Sequence, residues 1–324
     1  MKTIEFKEWR KGLSELSREQ RSELDRELHA HKAGNEVVEW LERGGMLEAC
    51  IHCGGNRLYR WGKEADLQRF RCRECGKTFT VLTGTPLARL RHKGRWLDYA
   101  QALEDGLTVR KAAARCGVDK NTSFRWRHRF LIRPCQEKAR HLEGIAEADE
   151  TFFRESFKGQ RKLPRVAHRR GHPASKRGTG KEQIPVLVMR DRHGATADFR
   201  LKGTAAEDIE PALRGILSPD GILCTDGAAA YKIAAKHLGI AHRAINLSAG
   251  VRVLAGVYHI QNVNAYDSRL KGWMRRFHGV ATKYLENYLG WRRWLERWGQ
   301  GNSPRIALWA AMGWENRFQQ VMQT

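Results

Sequence analysis

Between positions 259 and 277 the chain reads His259-Ile-Gln-Asn-Val-Asn264-Ala-Tyr-Asp267-Ser268-Arg-Leu-Lys271-Gly-Trp-Met-Arg275-Arg-Phe277. At a helical advance of about 100° per residue, Asn264, Ser268, Lys271 and Arg275 fall in one polar row. Val263, Tyr266, Leu270, Trp273, Met274 and Phe277 form an apolar face beside it, and Asp267 lies between the two. An amide, a carboxylate and a lysine next to a buried face suit a metal-and-phosphate site, provided the rest of the chain brings carboxylates to it. Two are well placed. Asp149 sits at the centre of the extended run Glu143–Phe153, and the buried run that starts at Ile222 stops at Asp226 before Gly227. Carboxylates at a strand end suit phosphoryl transfer, because two magnesium ions held between them stabilise both the attacking and the leaving oxygen. Asp226, standing before Gly227, also has the ordinary reading of a helix cap. Glu150 alternates to the sheet face opposite Asp149 and reads as structural, and His259 reads as a satisfied histidine.

A second chemistry lies upstream. Cys50-Ile-His-Cys53-Gly and Cys72-Arg-Glu-Cys75-Gly are CxxC pairs separated by 18 residues, the spacing of a structural zinc site. Four thiolates leave zinc no open position, so one ion would fold this ribbon and do no catalysis. His52 is a weaker rival ligand. Arg57, Tyr59, Arg60, Trp61, Arg69, Phe70 and Arg71 interleave rings and cations as a nucleic-acid surface would, although Trp61 and Phe70 could equally be the ribbon's core.

A third pattern runs from 96 to 131: a helix, a Gly117-containing turn and a basic second helix, the helix-turn-helix arrangement. Phe124 and Phe130 are expected to face the core, with Arg125, Arg127 and Arg129 projecting outward. In a DNA complex Asn121, Thr122 and Arg125 would reach base edges, and Arg127 and Arg129 phosphates.

The elements that must position these residues can be read in order. Lys and Arg number 59 against 36 Asp and Glu, a formal net charge of +23, which calls for a polyanionic partner. No apolar run approaches the roughly 20 residues of a spanning helix, and the first 30 residues lack a signal-peptide core, so a soluble cytoplasmic protein with no membrane partner is expected. Residues 1–46 read as two amphipathic helices, 47–85 as the zinc ribbon, 92–135 as the helix-turn-helix domain, 140–290 as an α/β domain, and 291–324 as a Trp-rich helical tail whose Trp residues pack a core. Residues 158–181 hold nine Lys or Arg and no acid, a loop to be ordered by DNA, from which Lys158, Arg161, Lys162, Arg169 and Arg170 join Arg275 as candidate phosphate contacts. A strand bearing Asp149, a hairpin with strands near Ile184–Arg190 and Ala195–Leu201, a helix from Ala205 to Leu217, a strand ending at Asp226, a helix, a strand over Ala241–Leu247 and a last helix describe a mixed sheet of the ribonuclease H type.

The ribbon, the helix-turn-helix, Glu147-Ala-Asp149-Glu-Thr, Thr225-Asp226-Gly-Ala-Ala-Ala-Tyr231 and the segment His259 to Lys271 together resemble a bacterial insertion-sequence transposase of the ISXO type, over roughly residues 45 to 292. The resemblance implies a ribonuclease-H-like domain that cuts transposon ends and joins the freed 3′-hydroxyls to target DNA, with double-stranded DNA as partner and a bacterial, nucleoid-associated setting. A homodimeric synaptic complex is expected because two ends must be processed together. Asn264 stands where many relatives carry Glu, and Lys271 follows it by seven residues, similar to an Asp-Asp-Asn-Lys variant. Asp149, Asp226 and Asn264 would then hold catalytic magnesium, with two ions expected. Lys271 would hold a terminal phosphate, and Asp267 is the alternative third ligand. A zinc-dependent transcription regulator with a non-catalytic C-terminal half is the competing reading, and another nuclease on the same sheet a third.

Overall fold

The computed structural model describes residues 3–45, 47–166, 180, 182–298 and 303–314, and the chain divides into two compact units, residues 1–130 with 301–324, and residues 131–300. No helix among the described residues is long and apolar enough to cross a membrane.

In the first unit α1 (Thr3–Lys11) and α2 (Arg18–Gly44) form from the charged N-terminal segment. Ser17 starts α2 with a reciprocal capping box: its Oγ accepts from Gln20 N–H at 3.2 Å, and Gln20 Oε1 accepts from Ser17 N–H at 2.9 Å. Next come three antiparallel strands in the order β1 (Leu58–Glu64), β2 (Leu67–Cys72) and β3 (Thr78–Phe79). Their small core is Phe79 with Phe70, Leu58 and the cysteines. Phe70 is therefore core, whereas Trp61 is exposed.

The helix-turn-helix follows as α3 (Trp96–Glu104), α4 (Val109–Cys116) and α5 (Lys120–Phe130). Thr108 caps α4, and Gly117 ends it at φ +60°, a conformation that favours glycine. Asp119 then accepts from Asn121 N–H at 2.7 Å, so the second helix begins within three residues of the first one's end. Buried Trp96, Tyr99, Trp126 and Phe130 pack edge to face. Two expectations for α5 are corrected. Phe124 is exposed, beside the His128 ring, because the 3.6-residue period carries Trp126 rather than Phe124 onto the core face. Arg127 does not project outward: it is fully buried and donates to the Leu107 carbonyl at 2.7 Å. Much later in the chain, α11 (Pro304–Met312) packs against α3 and α5 of this same unit, with Trp309 against Trp40 of α2.

The second unit opens with the short α6 (Ile132–Gln136) and is built on a five-stranded mixed sheet. Its elements in chain order are β4 (Ile145–Arg154), β5 (Gln183–Asp191), β6 (Thr196–Arg200), α7 (Ala206–Arg214), β7 (Ile222–Thr225), α8 (Ala229–Leu238), β8 (Ala241–Ala244), α9 (Gln261–Arg275) and α10 (Leu285–Trp298). The spatial order is β6-β5-β4-β7-β8, with β5 antiparallel to β4 and β6, and β7 parallel to β4 and β8. The long strand β4 is thus central. Ala146 and Ala148 join Leu187, Met189, Leu223, Ile209, Leu213 and Tyr231 in the core beneath α7 and α8. Period-two alternation places Glu147, Asp149 and Thr151 on the opposite face, where α9 lies against β4 and β5. Helix α9 buries Val263, Tyr266, Asp267, Leu270 and Trp273, and Trp273, Phe277, Tyr288 and Trp291 form an aromatic cluster between α9 and α10. Trp291, Trp294 and Trp309 are buried, so core packing accounts for these Trp residues of the C-terminal segment.

Replacing Arg127 by Ala strips a buried carbonyl of its charged donor, a change that costs about 2–3 kcal/mol. Thermal melting is expected to show a clear loss of stability for Arg127→Ala and none for Arg125→Ala; equal melting temperatures would refute the assignment.

Candidate active site and DNA-binding surfaces

The site on the sheet is assembled by strand register. The parallel ladder between β4 and β7 pairs Ile145 with Ile222, Ala146 with Leu223 and Glu147 with Cys224. Two residues further along both chains, Asp149 comes beside Asp226, just past the end of β7. Gly227 makes the turn there at φ +87°, and a Cβ on it would stand 3.0 Å from the Ala244 side chain. Asp226 Oδ1 accepts from Ala228 N–H at 2.9 Å. The aspartate is therefore a cap as well as a neighbour of Asp149, and one carboxylate oxygen serves the first role.

Electrostatics place the remaining members. Burial pushes the Asp149 carboxyl up to about 6; a hydrogen bond from Glu150 N–H opposes that, the Asp226 charge reinforces it, and the Lys271 ammonium opposes it. Asp267 is buried, with Oδ1 lacking a hydrogen-bond partner. Burial, and then the Asp149 charge, raise it to about 8, again against Lys271. It faces the carboxylates and has no arginine partner among the described residues. Asn264 is half-buried one turn before Ser268, and Lys271 is exposed. Asp149 is thus the hub: the Asp226 charge and the Lys271 ammonium act on it, and Asp149 and Lys271 act on Asp267. The oxygens are hard donors of the kind divalent cations take, and a cation would relieve the repulsion on Asp149; among the described residues, however, only the four cysteines draw three or more ligand atoms together. Glu150 lies on the other face of β4, as alternation requires. Burial raises its carboxyl to about 7, and it faces the hydroxyl of Tyr231 in α8.

A further carboxylate holds this arrangement in place. Glu147 is fully buried on the Asp149 face. Its Oε2 accepts from Val263 N–H at 3.0 Å, and its Oε1 accepts from Asn262 Nδ2 at 2.9 Å and Arg192 at 2.5 Å, with His259 Nδ1 at 3.2 Å. An anion on the first turn of α9 satisfies an otherwise orphan N–H and suits the helix dipole. It fixes Asn264, the next residue, relative to Asp149, two residues along β4. Sequence reading assigned Glu147 no role; its spacing from Asp149 by two residues, which puts both on one sheet face, was the available signal.

The four cysteines form the other centre. Cys50 and Cys75 Sγ lie 3.6 Å apart, Cys53 and Cys72 Sγ 3.7 Å, and all four within 4.8 Å of one another. Tetrahedral zinc with bonds of about 2.3 Å requires sulfur separations of about 3.8 Å, so this donor set fits zinc. The N–H groups of His52 and Glu74 point at Cys50 and Cys72 at 3.4 and 3.3 Å. The His52 ring packs edge-on against Phe79, which leaves the metal set to sulfur. Across the ribbon, Arg71 stacks over Trp61 and Arg73 over Tyr59, with Trp61 and Arg73 exposed and Tyr59 and Arg71 half-buried.

The other proposed DNA contacts divide. Asn121 and Arg125 are exposed and Thr122 half-buried at the start of α5. Arg129 donates to the carbonyls of Pro86 and Ala88, which ties down its guanidinium and takes it, like Arg127, out of the phosphate-binding set. Lys158 Nζ lies 3.0–3.5 Å from the carbonyls of Phe277, His278 and Gly279, closing the loop after α9 instead of standing free. Arg161, Lys162 and Arg275 are exposed. Arg169 and Arg170 lie outside the described residues.

Residues 141–295 match the family model described as ISXO2-like transposase domain, and residues 88–136 that of a homeodomain-like domain. A protein in transposable element ISH50 of Halobacterium salinarum is 26% identical over 262 residues, which are 80% of this chain and 87% of its own length. Among solved structures, a simian T-cell lymphotropic virus intasome is similar at 14% identity over 61% of this chain and 67% of that chain, with a TM-score of 0.28. A pre-cleavage Mos1 transpososome is similar at 14% identity over 71% and 78%, with a TM-score of 0.26.

Two outcomes follow from these sites. Chelation of metal, or Cys72→Ser, is expected to release one zinc per chain and open residues 47–85 to protease while residues 131–298 stay protected; a ribbon that resists protease without metal would refute the zinc assignment. Glu147→Ala, which leaves the Arg192 guanidinium and the Val263 N–H unpaired, is expected to destabilise the protein by about 3 kcal/mol in denaturant unfolding. A loss under 1 kcal/mol would mean that α9 is held elsewhere.

Proposed function

With residues 141–295 belonging to the ISXO2-like transposase domains, we propose that the chain is the DNA transposase of an insertion sequence, binding terminal inverted repeats and carrying out magnesium-dependent 3′-end cleavage and strand transfer on a ribonuclease-H-like sheet. The observation that carries the reading is the register of β4 against β7, which brings Asp149 beside Asp226 on the face that α9 covers. In this proposal the ribbon (47–85) and the helix-turn-helix domain (92–135) recognise the DNA end. Asn121, Thr122 and Arg125 face bases, and Arg161, Lys162 and Arg275 hold phosphates. A synaptic homodimer brings two ends together.

Asp149 and Asp226 would hold magnesium with Asn264. Bound there, the metal supplies Lewis acidity at the scissile phosphate and lowers the pKa of an attacking water. The chain's own residues do the rest. Glu147 keeps the first turn of α9 against β4, so Asn264 stays in line with Asp149. Lys271, two turns along the same helix edge, binds a non-bridging or terminal phosphate oxygen and offsets the carboxylates' charge. Asn264 brings an oxygen donor but no charge. Asp267 brings charge, and its unpartnered Oδ1 beside Asp149 makes it the competing third ligand.

The competing reading as a regulator requires DNA binding without cleavage. A single assay separates the two: purified protein, magnesium and a labelled transposon end with a plasmid target. Joined product is expected with the natural chain, and a loss of at least a hundredfold with Asp149→Ala or Asp226→Ala at unchanged end-binding affinity. Full joining by either variant would overturn the site. Loss of joining in Asn264→Ala but not in Asp267→Asn is expected; the opposite pattern would move the third ligand to Asp267.

A further inference from the structure

Beyond the carboxylates, where β4 runs out and the C-terminal half of α9 passes over it, the second unit has an open cavity of about 750 Å³. Phe153, Phe157, Leu163 and Met274 line it, with Lys271 and Arg275 one turn apart along α9. Its charges are of two kinds. Arg154 is paired with Glu182 at 3.8 Å, Arg165 is paired with Glu155 at 3.5 Å and lies over the Phe157 ring, and Lys158 is held by backbone carbonyls. Lys271 and Arg275 are exposed and carry no ion pair among the described residues. Glu155 is the one carboxylate in the lining. The cavity therefore presents half-buried aromatic surface and two uncommitted cations, which suits a ligand with a flat apolar body and an anionic linkage at one edge. Its volume suits a ligand of small-molecule size and cannot admit a duplex.

Lys271 is shared between this cavity and the carboxylate site, where it acts on Asp149. An occupant of the cavity would thus lie next to the carboxylate site, with Lys271 between them. We propose that the cavity receives an unpaired nucleotide of the DNA strand next to the reacting phosphate, its base against Phe153 and Phe157 and its phosphate at Lys271 and Arg275. The inference rests on the transposase reading for the identity of the strand, and on the cavity's own lining for the unpaired base. Stacking requires a base drawn out of the duplex, so the cavity would favour frayed or single-stranded DNA over paired ends.

The test uses the full-length, zinc-loaded protein and synthetic duplexes that are blunt or carry a three-nucleotide single-stranded extension of either polarity, with 5-iodouracil in the extension. Extended duplexes are expected to bind about tenfold tighter than blunt ones, the effect of stacking roughly one base. Irradiation is expected to crosslink the extension to peptides spanning residues 152–165. Phe157→Ala should abolish both the preference and the crosslink, and Phe157→Tyr should keep them. Equal affinity for blunt and extended duplexes, crosslinks confined to the ribbon or the helix-turn-helix, or an unchanged preference in Phe157→Ala would overturn the proposal. Magnesium-dependent joining, measured in parallel, separates the two readings. Joining without a preference for extensions rejects the cavity alone, and a preference with crosslinks but no joining rejects the transposase reading alone.

Discussion

The second unit depends on one buried anion at a helix start. Glu147 has no solvent to share its charge with, so it must be matched inside the protein, and it is matched by the first turn of α9, by Asn262 and by Arg192. A charge in that position behaves as a latch. Breaking any one partner leaves another buried group uncompensated, so the helix is held in register with the central strand more firmly than apolar contact would hold it. The register matters for the polar row of α9, because a slip of one residue would rotate that row about 100° around the helix axis.

The carboxylates present the opposite situation. Asp149 and Asp267 are raised by burial and by neighbouring charge, and one lysine offsets them only in part. The protein keeps an unfavourable density of negative charge in a chain whose formal charge is +23. Basic residues in the surrounding surface draw a polyanion toward the site, and the acidic pocket repels its phosphates unless cations intervene. In the proposed reaction these two opposing fields would make metal and nucleic acid binding mutually supporting.

How much of this was legible in the sequence follows from which forces are local. Apolar periodicity gave α9 and its buried face, alternation separated Asp149 from Glu150, and the CxxC spacing gave the sulfur cluster. The element order along residues 143–277 gave the strands of the mixed sheet, because β5 and β7 each carry a continuous apolar run and β4 places its carboxylates and alanines on alternate faces. The errors fall on long, flexible cations. Arg127, Arg129 and Lys158 read as phosphate binders because an arginine or lysine in a basic helix or loop is ordinarily solvated. Each is engaged by backbone carbonyls far away in sequence, at Leu107, Pro86 and Gly279, which no local pattern encodes. Glu147 escaped notice for the same reason, since its partners lie 45 to 116 residues away.

The placement of α11 has a consequence for how the molecule is made. The unit that contains the helix-turn-helix takes this helix from beyond residue 303, after the whole second unit has been synthesised, and uses it to cover α3 and α5. During synthesis α3 and α5 therefore keep an apolar side uncovered until α11 has emerged and docked. The first unit would thus finish folding only after the second has been made, although most of its residues leave the ribosome first.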